Sequence, residues 1–523
     1  MMMTDTRRLL RAALWLPIAA IAAAGAERAP STVFAFDDHT ISHKDNLYVT
    51  MHRAEKHGGN PVVRRGPAGA PDSFRTQFYG SVLKIGDTFR MWYAACSYDP
   101  KKGRGTWSGN PDYNETWYIA YAESRDGITW TKPDLGLTAF KGTRNNNLVQ
   151  LPEELDAGPV NPIATFVLDD RDDPDPSRRY KMALYGRYFN SDPKKKMNPA
   201  TIYPLYSADG LRWKLAVPPP KKKVFDEKET PFTSEWVFEI GGFYRFDGIY
   251  YVVGQEISPD MTMPNGDPVG RTMVTHWSGD FVHWSQERSF SFQRYGYRSA
   301  RTNVEEAHEG ASVWNRGNVL LGLFGLWHGS QFQKYWRLDL GLVVSNDGIH
   351  FREPIADHVF VKAGDDGAWD QHGLIQGQGF VNFGEKTHIY YGTWDPSVGE
   401  LAPGEIGLAT IPRDRFGYLS THRPGGGSFV SAPLAPSPAG ASLSINAEGL
   451  SEDSYLRAEL VDRLGAPIPG YSGGAVAKKS GFAEKLVWPQ SGLTSLPDRL
   501  FRLRLYFEGA SPQKIRFYAA YVQ

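Results

Sequence analysis

Cysteine is all but missing from this 523-residue chain: Cys96 stands alone, so no intrachain disulfide can hold the fold and burial must do so. An excess of charge is missing too. Lys and Arg number 58 and Asp and Glu 58, and without a net field neither nucleic acid nor an anionic membrane is an expected partner. Long apolar runs are scarce. The run from 12 to 24 falls short of the roughly 20 residues of a membrane span. No phosphate loop or dinucleotide fingerprint stands on a strand-helix unit, and no His-Glu-x-x-His spacing occurs. The sequence therefore calls for no cofactor. His52, His57 and His308 lack metal-ligand spacing, and no metal site is expected. The acidic stretch 169–176 lacks a calcium-loop pattern and reads as a solvated hairpin tip.

What is present begins with a targeting segment. Arg7, Arg8 and Arg11 precede the apolar run, and Ala24, Gly25 and Ala26 form a small-residue cleavage site. Residues 1–26 read as a secretory signal that leaves no membrane attachment once cleaved, with an uncleaved anchor as the alternative. The expected location is secreted or periplasmic. Aromatics at 13%, with 54 Gly and 36 Pro, point to a turn-rich, all-β protein.

A motif organises the rest. Ser124-Arg-Asp-Gly-Ile-Thr-Trp130 returns as 207–213, 278–284 and 345–351, with a degenerate relative at 413–417, so the aspartates fall at 126, 209, 280, 347 and 414. Such spacing means repeated supersecondary units. Asp-Gly between β-rich runs is a tight turn, and each copy follows a second hairpin such as 82–93 or 243–253. Two hairpins make four strands, one propeller blade. The fold class is therefore all-β: a five-bladed β-propeller over residues 35–420, followed by a small C-terminal β-sandwich. Residues 421–440, rich in Pro, Gly, Ser and Ala, read as a linker. Alternating Leu, Phe and Tyr with Arg and Lys over 500–507 and 514–521 places the sandwich at 441–523.

The run Glu239-Ile-Gly-Gly-Phe-Tyr-Arg-Phe-Asp-Gly-Ile-Tyr-Tyr251 resembles the acid-bearing blade of the five-bladed propeller glycoside hydrolases, families 32 and 43 among them. Family 32 also carries a C-terminal β-sandwich. The resemblance implies an exported hydrolase, exo-acting on a plant, algal or microbial polysaccharide or oligosaccharide. A non-catalytic carbohydrate-binding propeller is the alternative, and a sialidase-like enzyme a third reading, since Ser-x-Asp-Gly-x-x-Trp resembles the Asp-box, although its spacing is one residue short and that fold usually has six blades.

Hydrolysis of a glycosidic bond needs one carboxylic acid to protonate the leaving oxygen and a second to attack or to activate water. In a propeller such groups should open the innermost strands of different blades. Glu309 and Glu239 each stand before such a strand, and Glu309, expected among Trp314, Trp327 and His308, is preferred as the acid. Asp370, with His372 beside it, is the expected base or nucleophile. Here the sequence departs from the family: its first-blade Asp is replaced by the stretch Arg75-Thr-Gln-Phe-Tyr-Gly80, and the nearest acid, Asp72, lies in a Pro-containing loop. The expected substrate contacts are His52, Arg53, Gln77, Glu235, Glu306, His308, Trp327 and His372, with Trp327 and Trp394 stacking on sugar faces.

Overall fold

The computed structural model describes residues 31–98, 115–156, 160–188, 200–217, 238–257, 271–294, 305–328, 337–394, 404–435, 442–472, 474–488, 493, 496 and 500–522. The expected signal segment, 1–26, lies outside the described residues. No helix among the described residues is long and apolar enough to cross a membrane. The α-helix Glu153–Asp156 is a single turn, and strands make up the body.

Five antiparallel units follow one another. The first holds Arg75–Ile85, Thr88–Tyr98 and Glu115–Ser124; the second Val160–Asp169, Tyr180–Tyr188, Ala200–Ser207 and Lys214–Leu215. The third holds Glu239–Phe246, Ile249–Ile257, Arg271–Ser278 and Ser289–Phe292; the fourth Glu305–Asn315, Leu320–His328, Arg337–Ser345 and Val359–Val361. The fifth takes Gly373–Phe383, Lys386–Trp394 and Ile406–Pro412, and borrows its outer strand, Glu55–Lys56, from far upstream. Each unit's first strand touches the next unit's first strand, and that of the fifth returns to that of the first.

Every first strand carries an irregularity in its pairing with the second, between Gln77 and Ser81, Pro162 and Ala164, Ile240 and Gly242, His308 and Ala311, and Gln376 and Phe380. Such bulges free backbone groups from the ladder, and those groups need other partners. Side chains of neighbouring units supply them. Ser81 Oγ accepts from the Val167 amide at 2.8 Å, Ser312 Oγ donates to the Gly241 carbonyl at 2.6 Å, and Gln376 Nε2 donates to the carbonyls of His308 and Gly310 at 2.8 and 3.1 Å. Gln378 accepts from the Phe243 amide.

The recurring Asp-Gly motif marks the joints. In the first copy Ser124 Oγ accepts from the Gly127 amide at 2.9 Å, and Asp126 Oδ1 from the amides of Ile128 and Thr129 at 2.8 and 2.7 Å. The copies at Asp209, Asp280 and Asp347 repeat these bonds. Each turn is also gripped by the preceding unit. Trp92 Nε1 donates to the Gly210 carbonyl at 2.7 Å, Tyr244 OH to that of Gly348 at 2.7 Å, and Tyr390 OH to that of Gly127 at 2.6 Å, which joins the fifth unit to the first. Gly127 has φ of 73°, and a Cβ there would lie 2.5 Å from the Tyr390 hydroxyl, so conformation and space both demand glycine. At the joint from second to third unit, buried Lys181 sits 5.8 Å from the centre of the Phe281 ring. At the last joint the degenerate copy behaves differently. Asp414 is buried and accepts from Arg316, Asn382 and Tyr521 instead of capping a turn.

The acidic stretch 169–176 is neutralised from within. Asp169 pairs with Arg179 and Arg171, Asp170 with Arg245, and Asp173 with buried Lys181. Among the described residues no cluster of His, Cys, Asp and Glu could hold a metal ion.

Beyond the fifth unit two sheets face each other. One runs Gly481–Leu486, Leu443–Glu448, Arg516–Val522, Gly417–Thr421, Leu47–Met51, with Ser31–Phe34 also on Arg516–Val522. The other runs Ile41–Asp45, Gly427–Ser431, Arg502–Glu508, Tyr455–Val461, Ala475–Ala477. Their inward residues, among them Ile445, Leu456, Leu503, Leu505 and Phe517, share one core. Two boundaries differ from expectation. The stretch 421–440 contains a fully paired strand, Gly427–Ser431, and residues 31–51 belong to these sheets rather than to the repeats. Pro and Gly between short alternating strands look like a linker when no partner strand is in view.

The two bodies share a buried seam in which Phe34, Phe36, Phe416 and Tyr521 pack with Leu321, Leu340 and Phe380. Arg316 crosses it, its guanidinium 5.3 Å from the centre of the Phe34 ring and paired with Asp414. Burial pushes the Asp414 carboxyl up, but Arg316 and the hydrogen bonds from Asn382 and Tyr521 outweigh it and hold the group below its usual range. A carboxyl depressed by folding stabilises above its unfolded pKa, and that contribution fades as acid titrates the folded group. Arg316→Met strands a buried charge, so it should cost about 3–5 kcal/mol in denaturant unfolding near neutral pH. The deficit should narrow in melts below about pH 4, where the wild type begins to lose the same pair.

Candidate functional site

The first strands of the third and fourth units bring two glutamates to one side chain. Glu239 opens the third unit and Glu309 lies in the bulge of the fourth. Between them stands Gln255, across the hairpin from Glu239. Its Nε2 donates to Glu239 Oε2, and its Oε1 accepts from the Glu309 amide at 2.9 Å and from Arg271 Nη1 at 3.0 Å.

Glu309 holds a left-handed backbone, φ 59°, followed by Gly310 at 82°. A non-glycine residue there stores about 1–3 kcal/mol of strain and persists only where its surroundings impose it. They do so here through close approach. A Cβ on Gly241 would lie 1.7 Å from the Glu309 carbonyl oxygen, and one on Gly310 would lie 2.8 Å from the Gly254 Cα. The bulge thus docks into a groove that glycines of the third unit leave open.

Beside Glu309 the aromatic wall is His308, Trp327 and Trp394. The His308 ring stacks on Trp394, centroids 5.7 Å apart at 17°, and lies 5.0 Å from Trp327. Arg271 caps the outer face of Trp327 at 5.0 Å. His308 Nε2 is 3.5 Å from Glu309 Oε1. Burial, reinforced by the charge of Arg271, holds the imidazole well below its usual pKa. His308 is therefore neutral near neutral pH.

Other expected residues go elsewhere. Trp314 lies at the far end of its strand, stacked on Phe380 at 5.4 Å, and does not wall Glu309. His52 hydrogen-bonds the Arg415 carbonyl at 3.0 Å and packs against Tyr418 and Tyr518, on the two-sheet body, with Arg53 exposed beside it. Neither joins the carboxylates. Gln77 is buried at the start of the first unit and accepts from Arg75 Nη1 at 3.3 Å. His372 is half-buried ahead of the fifth unit's first strand, against Gln371. Glu235 and the side chain of Glu306 lie outside the described residues.

Asp370, the expected base, is engaged in packing. It is buried, 2.6 Å from Lys56 Nζ, and accepts from Tyr391 OH at 2.9 Å; Asn60 Nδ2 in turn donates to that hydroxyl at 3.1 Å. The same quartet occurs in the first unit, where Asp72 pairs with Lys132 and accepts from Tyr93 OH at 2.8 Å, with Asn147 Nδ2 on the hydroxyl at 2.8 Å. Burial and the adjacent carboxylate push both phenols above their usual pKa, so they remain donors. The sequence carries the duplication: Gly66-Pro-Ala-Gly-Ala-Pro-Asp72 and Gly364-Asp-Asp-Gly-Ala-Trp-Asp370 share Gly-x-x-Gly-Ala-x-Asp. That repeat marks Asp370 as one of two structural anchors, and aligning the units was the signal that would have shown it.

Gln255 and Arg271 escaped sequence reasoning. A lone Gln ending the apolar run Tyr250-Tyr-Val-Val-Gly254 was the available hint.

No protein-family model matches the chain and no curated relative is found. Solved structures give distant likenesses. One comes from glycoside hydrolase family 130 of mannoside phosphorylases, which contains hydrolases that target β-1,2-mannosidic linkages in Candida mannan; identity is 14%, TM-score 0.45, with 70% of this chain and 95% of that chain covered. A β-1,2-mannobiose phosphorylase from Listeria innocua, in complex with β-1,2-mannobiose, gives 13%, 0.42, 69% and 97%. An N-acetylgalactosamine deacetylase from F. plautii, in complex with blood group B trisaccharide, gives 13%, 0.45, 69% and 96%.

The groove explanation is testable. Gly241→Ala forces a methyl into the Glu309 carbonyl, and overpacking of this kind costs about 1–3 kcal/mol. The expected result is a folded but less stable protein in which proton exchange of the Glu309 amide accelerates, while Gly58→Ala, with open space around it, leaves that amide unchanged.

Proposed function

We propose that the chain is an exported, carbohydrate-active enzyme whose five units are the blades of a five-bladed β-propeller, and that it cleaves glycosidic bonds at the centre of the ring. One observation carries the reading: Glu239, through its carboxylate, and Glu309, through its backbone amide, meet on Gln255 beside neutral His308, which stacks on Trp394. Two carboxyl groups are what glycoside hydrolysis uses; Trp327 is fully buried, so of the two rings expected to stack on sugar it is half-buried Trp394 that is left to do so.

In this reading Glu309 is the general acid. Its side chain is buried beside His308, and a neutral imidazole there adds no positive charge to favour ionisation. Glu239 takes the place expected of Asp370 as second carboxylate. The exported location follows the basic, apolar and small-residue run at 1–26.

The test is product release from a panel of polysaccharides and oligosaccharides, with and without inorganic phosphate, so that hydrolysis and phosphorolysis separate. Glu309→Gln keeps the shape and removes the proton; on a natural substrate kcat should fall about a hundredfold to ten-thousandfold, and least for substrates with good leaving groups. Full turnover in Glu309→Gln refutes its role as acid. Binding without release by the wild type makes the protein a carbohydrate-binding propeller instead.

A further inference from the structure

The two carboxylates share a side chain whose orientation the network fixes. Gln255 Oε1 already faces two donors, the Glu309 amide and Arg271 Nη1. Turned over, its NH2 would meet both donors and its oxygen would meet a carboxylate, so the amide has one satisfiable orientation. The Glu309 amide has no ladder partner of its own, because the pairing passes from His308 with Gly325 to Ala311 with Phe324. Gln255 therefore supplies the bulge with an acceptor and Glu239 with a donor.

We propose that Gln255 is the positioning residue that divides the roles of the two carboxylates. Its N–H holds Glu239 as an acceptor, which favours the ionised form, while it grips Glu309 only by the backbone and leaves that carboxyl to carry the transferable proton. The proposal rests on the carbohydrate-cleaving reading above. It gives that reading an assignment: Glu239 is the base or nucleophile and Glu309 the acid.

The charged and titratable groups around the pair are few among the described residues. Arg271, on the third strand of the same unit, meets Gln255 and the Trp327 face. His308 lies against Glu309 from its own strand. Arg75 and His372 stand at the starts of the first and fifth units. Glu256, next to Gln255, is turned to Arg288 instead.

The test uses the full chain with glutamate labelled at the carboxyl carbon, followed by NMR across pH, with Glu239→Gln and Glu309→Gln identifying the two signals by their loss. In the wild type Glu239 should titrate at lower pH than Glu309. Gln255→Leu should raise the Glu239 midpoint by about one unit, the size expected for losing one hydrogen bond to a charged group. The reverse order in the wild type overturns the proposal, and so does an unmoved Glu239 in a folded Gln255→Leu variant. If that variant does not fold, the wild-type order decides alone. On any substrate the wild type cleaves, Gln255→Leu should lower kcat at least tenfold with KM little changed and shift the acidic limb of the pH profile upward; an unchanged limb counts against the proposal. Absence of cleavage across the panel removes the enzymatic reading, whereas the titration order still tests the role of Gln255.

Discussion

Everything at the centre depends on one constraint: the five first strands present backbone groups that their own ladders leave unmet, and side chains of neighbouring units meet them. A buried amide or carbonyl left unmet costs about 1–3 kcal/mol, whereas the bond that meets it nets only about 1 kcal/mol. The sign of that asymmetry explains why polar side chains recur in an otherwise apolar interior. Gln376, Gln378, Ser312, Ser81 and Gln255 each reach across to another unit's backbone. Each such bond ties two units, so the first strands cannot shift independently. Glu309 inherits its position from that lattice rather than from its own strand.

The rim obeys a different rule with the same outcome. Each Ser-x-Asp-Gly turn closes on itself, and its outward carbonyl is then taken by Trp92, Tyr244 or Tyr390 of the preceding unit. The residue that ends a unit is thereby the docking point for the previous one. At two joints the chemistry changes while the contact remains, Lys181 over Phe281 and Arg316 on Asp414. The second exchange comes where the two-sheet body packs on, so the joint also carries a hydrogen bond from Tyr521 of that body.

Two acids that sequence pattern makes equivalent turn out to have different surroundings. Asp370 and Glu309 both precede or begin a first strand, yet Asp370 meets a Lys, a Tyr and, through it, an Asn, all with donors to offer. A carboxylate so satisfied is an anchor. Glu309 lies 3.5 Å from the His308 ring nitrogen, and Gln255 holds its backbone rather than its carboxyl.

The sequence alone determined what depends on local spacing. The Asp-Gly repeat set the number of units and their turns because the residue after each Asp takes a positive φ, Gly in three copies and Phe281 in the other, and the Ser and Asp that cap the turn lie within three residues of it. The alternation in Arg502–Glu508 likewise marked a half-buried strand. Glu239, Glu309, His308 and Trp327 stand out in the sequence as a group, but Glu309 and His308 lie at the bulge inside Glu305–Asn315 rather than before the strand. Tertiary structure alone decided what depends on partners distant in the chain. Residues 31–51 reach the last sheets, Lys56 reaches Asp370, and Gln255 joins Glu239 to Glu309 only once the third and fourth units pack through glycine. No local signal encodes a partner some hundreds of residues away, because the energy that selects it, burial and the satisfaction of freed backbone groups, exists only once the units are packed together.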